Sequence, residues 1–337
     1  MVRIAVNGFG RIGRIVTRAA LIHYPGELKI VAINTSGSME TAGWGHLLKY
    51  DSVYGRFEKE VNWDKDDLII EEERYPVLAE RDPAKIPWGR FGVDVVIEST
   101  GVFRDLESAG KHLDSGAKRV IISAPPKDGK IPIFIKGVNL NKYQEEKVIS
   151  CGSCTTNCVA PICKVVLKNF EIEDGRMTTI HAVTADQQLV DGSHKDLRRA
   201  RAAMVNIIPT TSGAAEAVVE VLPKLRQKFT ATAIRVPVIC GSYSDLTFKL
   251  KKRTTAKEIN KVLKKASEKE MSGIISFSQE PLVSSDVLKD THSAIVDGAM
   301  TQVVSQDLVQ IGAWYDNEWA YSCRLIEEAI YIGRHAA

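Results

Sequence analysis

Arg3-Ile-Ala-Val-Asn7-Gly8-Phe-Gly10-Arg-Ile-Gly13 decides how this chain folds. A short β-rich run, Arg3–Asn7, passes directly into a G-x-G-x-x-G turn, and Ile12–His23 behind it carries apolar residues at helical spacing. In such a strand–turn–helix each glycine has its own task. Gly8 permits the tight turn, Gly10 lets a pyrophosphate approach the backbone, and Gly13 lets the helix pack on the strand. The helix start adds free N–H groups and the positive end of a dipole, both suited to phosphate. The glycine pattern alone would fit any tight turn. Between a strand and a helix, it points to a dinucleotide site.

Further along, Lys29–Asn34, Val93–Ser99, Arg119–Ser123 and Ile131–Lys136 are short apolar runs. Continuous runs of this kind predict a parallel sheet covered on both faces. After about Cys151 the pattern changes. Helices are expected at Asn157–Asn169 and Gly213–Leu225, and longer alternating strands at Thr232–Ile239 and Ser244–Lys251 suit an antiparallel sheet. A last helix is expected at Tyr321–Gly333. A chain of 337 residues is long for a single core. The predicted fold is α/β: a Rossmann-type doubly wound parallel sheet, plus an α+β catalytic domain with a mainly antiparallel sheet. The first domain takes residues 1–150 and is completed by a C-terminal helix over 318–337; the second takes 151–317.

Composition bounds the function. Hydrophobic residues at 44% and charged ones at 26% describe an ordinary globular protein. The net charge of +3 lacks the basic excess of a nucleic-acid protein, so no obligatory nucleic-acid partner is expected. The basic run Lys195–Arg201 fits a phosphate-sized anion instead. No apolar run reaches the roughly 20 residues of a membrane helix, and no secretory signal opens the chain. Four of the six cysteines fall between 151 and 163, unlike a spread disulfide framework. A reducing, cytoplasmic compartment is expected, and no metal site.

Ser150-Cys-Gly-Ser-Cys154-Thr-Thr-Asn-Cys158 follows an apolar strand and precedes an apolar helix. A thiol at such a turn sits at the positive end of a helix dipole, where the thiolate is favoured. A nearby imidazole would favour it further. Most cysteines are inert core residues, so Cys154 by itself would not be read as a nucleophile.

Four stretches together change that reading. Ser153-Cys154-Thr155-Thr156-Asn157-Cys158, Asn7–Gly13, Thr179-Ile-His181-Ala-Val-Thr184 and Trp314-Tyr-Asp-Asn-Glu318 resemble the glyceraldehyde-3-phosphate dehydrogenase family, along the whole chain and in order. The resemblance implies phosphorylating oxidation of glyceraldehyde 3-phosphate to 1,3-bisphosphoglycerate, with NAD or NADP as hydride acceptor. Cys154 then corresponds to the thiolate that forms a thiohemiacetal and a thioester, and His181 to its base. Thr184 and Arg235 match the site for the substrate's phosphate. Ser153, Thr155, Arg199, Ser212 and Gly213 match the site for inorganic phosphate. Besides Gly8, Gly10 and Gly13, the cofactor contacts implied are Arg11, Ile12, Asn34, Thr35, Arg81, Ser123 and Asn317. A homotetramer is also implied. Erythrose-4-phosphate dehydrogenase, a relative with the same thiol chemistry, is the alternative; Thr184 and the Ser212-Gly213 pair favour the first reading.

Three departures matter. The second strand ends Asn34-Thr35-Ser36-Gly37, with no carboxylate to bind the ribose 2′-hydroxyl. Ser193 stands where NAD-dependent members often have proline. Both lean towards NADP tolerance or dual use, although no arginine or lysine replaces the carboxylate in the sequence. Finally, Cys151 makes a C-x-x-C pair with Cys154: either a reversible disulfide, or a small buried residue facing away.

Overall fold

The computed structural model describes residues 1–335. It contains two compact units. One comprises Met1–Phe134, Leu140–Gly152 and the chain from Ser322 onward; the other comprises Ile135–Asn139 and Ser153–Tyr321.

The first unit begins with β1 (Val2–Asn7), α1 (Arg11–His23), β2 (Leu28–Asn34) and α2 (Thr41–Lys49). A small hairpin, β3 (Tyr50–Asp51) and β4 (Gly55–Arg56), leads to β5 (Val61–Trp63), β6 (Asp67–Ile70) and β7 (Glu73–Leu78). Then come β8 (Val95–Glu98), α3 (Leu106–Asp114), β9 (Arg119–Ile122) and β10 (Val148–Ser150). Eight strands form one sheet in the order β10-β9-β8-β1-β2-β7-β6-β5. The pairs from β10 to β7 are parallel, and β5 and β6 are added antiparallel at the edge. The chain winds from β1 out to β2 and β7, then returns to β8 on β1's other side. That reversal is the switch point at which doubly wound sheets bind nucleotides.

Physical reasons for this sheet are visible in its strands. Every residue of β8 and β10 is buried, as expected for strands covered on both faces. Ala5, Ala32, Val96 and Trp88 pack in one core cluster, while Val120, Ile122 and Val148 pack in another. Register matters most at the carboxyl ends, where Asn7 lies opposite Asn34 on one side and Glu98 on the other. Three polar side chains are thereby set in a row where apolar ones fill the strands behind them.

The second unit starts with α4 (Cys154–Phe170) and β11 (Ile172–His181). It continues with β12 (Ile208–Thr210), α5 (Ala214–Val221), β13 (Phe229–Arg235), β14 (Ser242–Leu250) and α6 (Ala256–Glu268). Next come β15 (Ile275–Ser278), β16 (Ala294–Val304) and β17 (Leu308–Tyr315), after which α7 (Trp319–Arg334) begins. The seven-stranded sheet runs β12-β13-β11-β14-β17-β16-β15. Most pairs are antiparallel, but β13 lies parallel to β11 and β15 parallel to β16. Alternate residues of β14 are buried, the pattern of a sheet with one covered face. No helix among the described residues is long and apolar enough to cross a membrane.

The expected α/β class is therefore present, with local corrections. The run Ile131–Lys136 forms only an isolated bridge at Ile133, because Pro132 and the following turn interrupt pairing. The strand expected over Thr232–Ile239 runs from Phe229 to Arg235 and stops before Pro237. Its parallel partner was not foreseen. The basic run around Arg199 is a series of bends and turns.

Glycine is required at one position above all. A Cβ on Gly13 would stand 2.1 Å from the carbonyl oxygen of Gly8, and that oxygen already accepts from the Ser99 hydroxyl at 2.7 Å. Backbone must move to admit it. Gly13→Ala should destabilise the protein by roughly 2 kcal/mol, within the usual range for overpacking, and weaken dinucleotide binding; calorimetry with and without NAD checks both. An unchanged melting temperature would contradict the tight helix–strand approach.

Candidate active site and dinucleotide cleft

The second unit brings a thiol, an imidazole and a guanidinium group together at the ends of secondary-structure elements, with a second guanidinium, Arg199, on the turns between β11 and β12. α4 begins at Cys154 because Ser153 caps it. The Ser153 Oγ accepts from Thr156 N at 3.0 Å, and Thr156 Oγ1 accepts from Ser153 N at 3.4 Å. Cys154 thus occupies the first turn, at the positive end of the helix. It is the partly exposed member of six free cysteines; the other five, Cys151 among them, are buried.

His181 closes β11, and its Nε2 lies 3.4 Å from Cys154 Sγ. Its Nδ1 is 2.7 Å from the Ala182 carbonyl oxygen, which can only accept. The Nδ1–H tautomer satisfies this contact and turns the Nε2 lone pair to the thiol. Arg235 closes β13 in register with His181. Its Nη1 donates to the same Ala182 oxygen at 3.1 Å and presses against His181 Nδ1. A guanidinium donating to Nδ1 instead would leave the proton on Nε2, so the two arrangements exclude each other. The first gives a base able to take the thiol proton. Tyr315, at the end of β17, meets the imidazole edge-on with ring centroids 6.0 Å apart. Its hydroxyl contacts Thr155 Oγ1 at 3.0 Å and Thr179 Oγ1 at 2.8 Å, locking the wall behind the ring.

Electrostatics at this site are dominated by dryness. Burial, reinforced by the Arg235 charge, holds the His181 pKa down to about 3, so the imidazole is neutral at physiological pH. Burial also pushes the Cys154 thiol up, against the expectation of a lowered value. Arg235 and the Thr155 hydroxyl work in the opposite direction. The resting site therefore holds a neutral pair, with a fixed positive charge beside it that favours the thiolate.

The second guanidinium is equally constrained. Arg199 Nε donates to Thr210 Oγ1 at 2.9 Å, Nη2 donates to Thr211 O at 3.3 Å, and Nη1 pairs with Asp186. Arg235 feels the charges of both Arg199 and Asp186 as well as that of Cys154. Half-buried Thr184 follows His181 by three residues, its N–H donating to Gln187. Ser212 Oγ accepts from Ala214 N at 3.2 Å, and Gly213 leaves open space at the start of α5. The Ser153 and Thr155 hydroxyls are engaged with Thr156 and Tyr315, so any further ligand would have to share them. Asn317 Oδ1 accepts from Gly241 N at 3.1 Å and Ser242 Oγ at 2.9 Å. That fixes the amide and leaves its nitrogen to donate. Tyr315, Asp186 and Thr210 were not singled out in the sequence; Tyr315 lies inside the Trp314–Glu318 motif, and only folding reveals its role.

The first unit carries its own cleft of about 450 Å³, lined by Gly8, Gly10, Asn34, Ser36, Arg81 and Thr100, among others. It fits a dinucleotide. Gly8 has φ 92° and no room for a side chain, whereas Gly10 faces open space. α1 has no side-chain cap and no acid in its first turn, leaving its N–H groups for an anion. Arg11 is held by Asp51 at 2.6 Å, so Arg11 and Ile12 offer the helix start mainly through their backbone. Ser123 sits half-buried just past β9. At the cleft's far end, the buried Thr35 donates to Leu78 O and accepts from Gly37 N. Its hydroxyl therefore serves the turn. Exposed Arg81 comes across from the chain after β7, donating to Ser36 O at 3.3 Å. A cation thus does stand where the sequence showed none.

A glycine-loop dinucleotide unit and a thiol–imidazole site flanked by guanidinium groups suit a nucleotide-dependent oxidoreductase. Comparison with known proteins gives the family. Residues 2–106 match the glyceraldehyde 3-phosphate dehydrogenase NAD binding domain, and residues 153–317 match the C-terminal domain of the same enzyme. Glyceraldehyde-3-phosphate dehydrogenase 2 of Streptomyces avermitilis is 49% identical over 334 residues, covering 98% of both chains. The Bacillus subtilis protein of the same name is 47% identical, covering all of this chain and 97% of its own. The chain belongs to the glyceraldehyde-3-phosphate dehydrogenase family.

Because Arg235 opposes the effect of burial on the thiol, its removal has a definite sign. In Arg235→Leu the ascending limb of Cys154 alkylation by iodoacetamide should move to higher pH, since the anion loses a favourable charge. A limb that stays in place, or moves to lower pH, would show that Arg235 does not act on the thiolate.

Proposed function

We propose that this enzyme oxidises glyceraldehyde 3-phosphate to 1,3-bisphosphoglycerate. The carrying observation is the 3.4 Å Cys154–His181 contact with Arg235 and Arg199 close by. Cys154 Sγ attacks the aldehyde carbon while His181 Nε2 takes the thiol proton and then passes it to the new oxyanion, giving a thiohemiacetal. The Cys154 N–H at the start of α4 supports the developing oxyanion. A dinucleotide bound at the glycine loop would supply the hydride acceptor that the change from thiohemiacetal to thioester requires. His181 assists by taking the hydroxyl proton. Inorganic phosphate then attacks the thioester carbonyl, forming the acyl phosphate and returning the Cys154 thiolate.

Thr184 and Arg235 would hold the substrate's phosphate. Ser153, Thr155, Arg199, Ser212 and Gly213 would hold the incoming one. Guanidinium groups suit both because their fork can pair with two phosphate oxygens. Asn317, with its oxygen already satisfied, would donate its amide to the nicotinamide carboxamide. Initial rates with glyceraldehyde 3-phosphate, NAD and phosphate test the assignment. Wild-type protein should need all three, and Cys154→Ser should lose roughly a thousandfold or more in kcat. Faster turnover of erythrose 4-phosphate would overturn the substrate.

The cofactor reading favours dual use of NAD and NADP. The end of β2 offers Thr35 and Ser36 in place of a carboxylate that would repel a 2′-phosphate, and Arg81 and Ser36 are both exposed there. Thr35 supports this reading only by not being an acid, since its hydroxyl faces inward. Arg81→Gln should lower NADP efficiency about tenfold while changing NAD little, as expected for loss of one charged hydrogen bond. Equal losses for both cofactors would refute the assignment. We also read the molecule as a homotetramer. Leu189, Val190, Leu197, Val205 and Ile207 are each more than 70% exposed on one segment, and a second copy would cover them.

A further inference from the structure

Beside the dinucleotide cleft lies a polar chain to which the chemistry above assigns no part. Trp88 Nε1 donates to His112 Nδ1 at 2.9 Å. An indole N–H cannot accept, so Nδ1 carries the lone pair and the imidazole proton sits on Nε2. That nitrogen lies 3.1 Å from Glu98 Oε2. Asn7 Nδ2 donates to the same oxygen. The other oxygen accepts from Thr100 N at 2.7 Å and from the Thr100 hydroxyl, whose own lone pair is taken by Val102 N. Four donors converge on one carboxylate that is 2% exposed.

The order continues into the cleft. With its nitrogen committed to Glu98, Asn7 presents Oδ1 to Asn34 Nδ2 at 2.7 Å. Asn34 then clasps the main chain of Glu80 from both sides, donating to its oxygen at 2.8 Å and accepting from its nitrogen at 3.0 Å. Glu80 precedes Arg81, and Asn7, Asn34, Thr100, Glu80 and Arg81 all line the cleft. Every hydrogen bond from Trp88 to Glu80 thus has a fixed direction. The Trp88 indole at one end can only donate, and the Glu80 main chain at the other keeps its own parts, so the directions agree from both ends.

We propose that Glu98 and His112 are positioning residues for the dinucleotide: they fix the amide orientation of Asn7, whose Oδ1 holds Asn34 against the Glu80 main chain beside Arg81, so setting cofactor affinity without touching the cofactor. Stability alone does not call for such a chain. Apolar residues of similar volume commonly serve a core as well as a buried charged network or better. What the carboxylate adds is direction.

Glu98→Gln tests this in the full-length enzyme, because glutamine offers a donor where the carboxylate met only donors. Whichever way the new amide lies, its NH2 meets a donor, Asn7 and His112 on one side or Thr100 N on the other, and the seat of Asn7 or the Thr100 turn beside the cleft is lost. The Kd for NAD, from quenching of protein fluorescence, and the KM for NAD should both rise about tenfold, a loss of about 1.4 kcal/mol. The kcat at saturating NAD should stay within about threefold, with the KM for aldehyde unchanged, because chemistry on the thiol is not involved. His112→Leu should act in the same direction. His112→Gln, which can return a donor to Glu98, should recover most of the affinity. A folded Glu98→Gln protein with wild-type NAD affinity overturns the proposal. If that variant fails to fold, equal NAD affinity in His112→Leu and His112→Gln overturns it instead.

Discussion

The 3.4 Å contact between Cys154 and His181 joins the first turn of a helix to the last residue of a strand. Neither residue could reach the other from the middle of its element, since side chains there are committed to packing. Parallel pairing of β13 with β11 brings Arg235 level with His181, and β17 ends at Tyr315 behind the ring. Element ends thus converge on a place where the thiol, base and charge do not compete with the apolar core. The same place is dry enough to hold the imidazole neutral, with the Nε2 lone pair turned to the thiol.

Dryness also works against the thiolate. A helix start and a nearby imidazole were expected to favour the anion, yet burial pushes the thiol the other way. Arg235 resolves the conflict locally. It contributes a permanent positive charge, because a guanidinium keeps its proton where a lysine could lose it. The residue that would anchor the substrate's phosphate therefore also helps to prepare the nucleophile. Two demands on one side chain leave little room for replacement.

Much of this was legible in the sequence, for identifiable reasons. Strands such as Val95–Glu98 are short, apolar and punctuated by glycine or polar residues, so their existence and parallel class could be read directly. Cys154, His181 and the Gly8–Gly13 loop lie in contiguous motifs. Long-range placement was not legible. Tyr315 packs on His181 from far along the chain, and Asp186 holds Arg199 only because a turn folds back. Arg81 is the clearest case. It is 45 residues from Ser36 in sequence and becomes its neighbour through β2–β7 pairing. The Ile131–Lys136 run failed for a different reason, since apolar composition cannot show that Pro132 lacks the N–H a strand would need.

Thr35 turns its hydroxyl into the backbone while Ser36 and Arg81 stand in solvent. The cleft therefore has a floor whose side chains are tied into the sheet and a rim whose side chains are not. Substitutions at exposed positions usually change stability by less than about half a kcal/mol, whereas buried polar networks tolerate little. The rim can then vary independently of the scaffold. Cofactor preference in such an arrangement is an evolvable trait, open to drift or selection through a few surface replacements, while the floor that makes any dinucleotide bind stays under constraint.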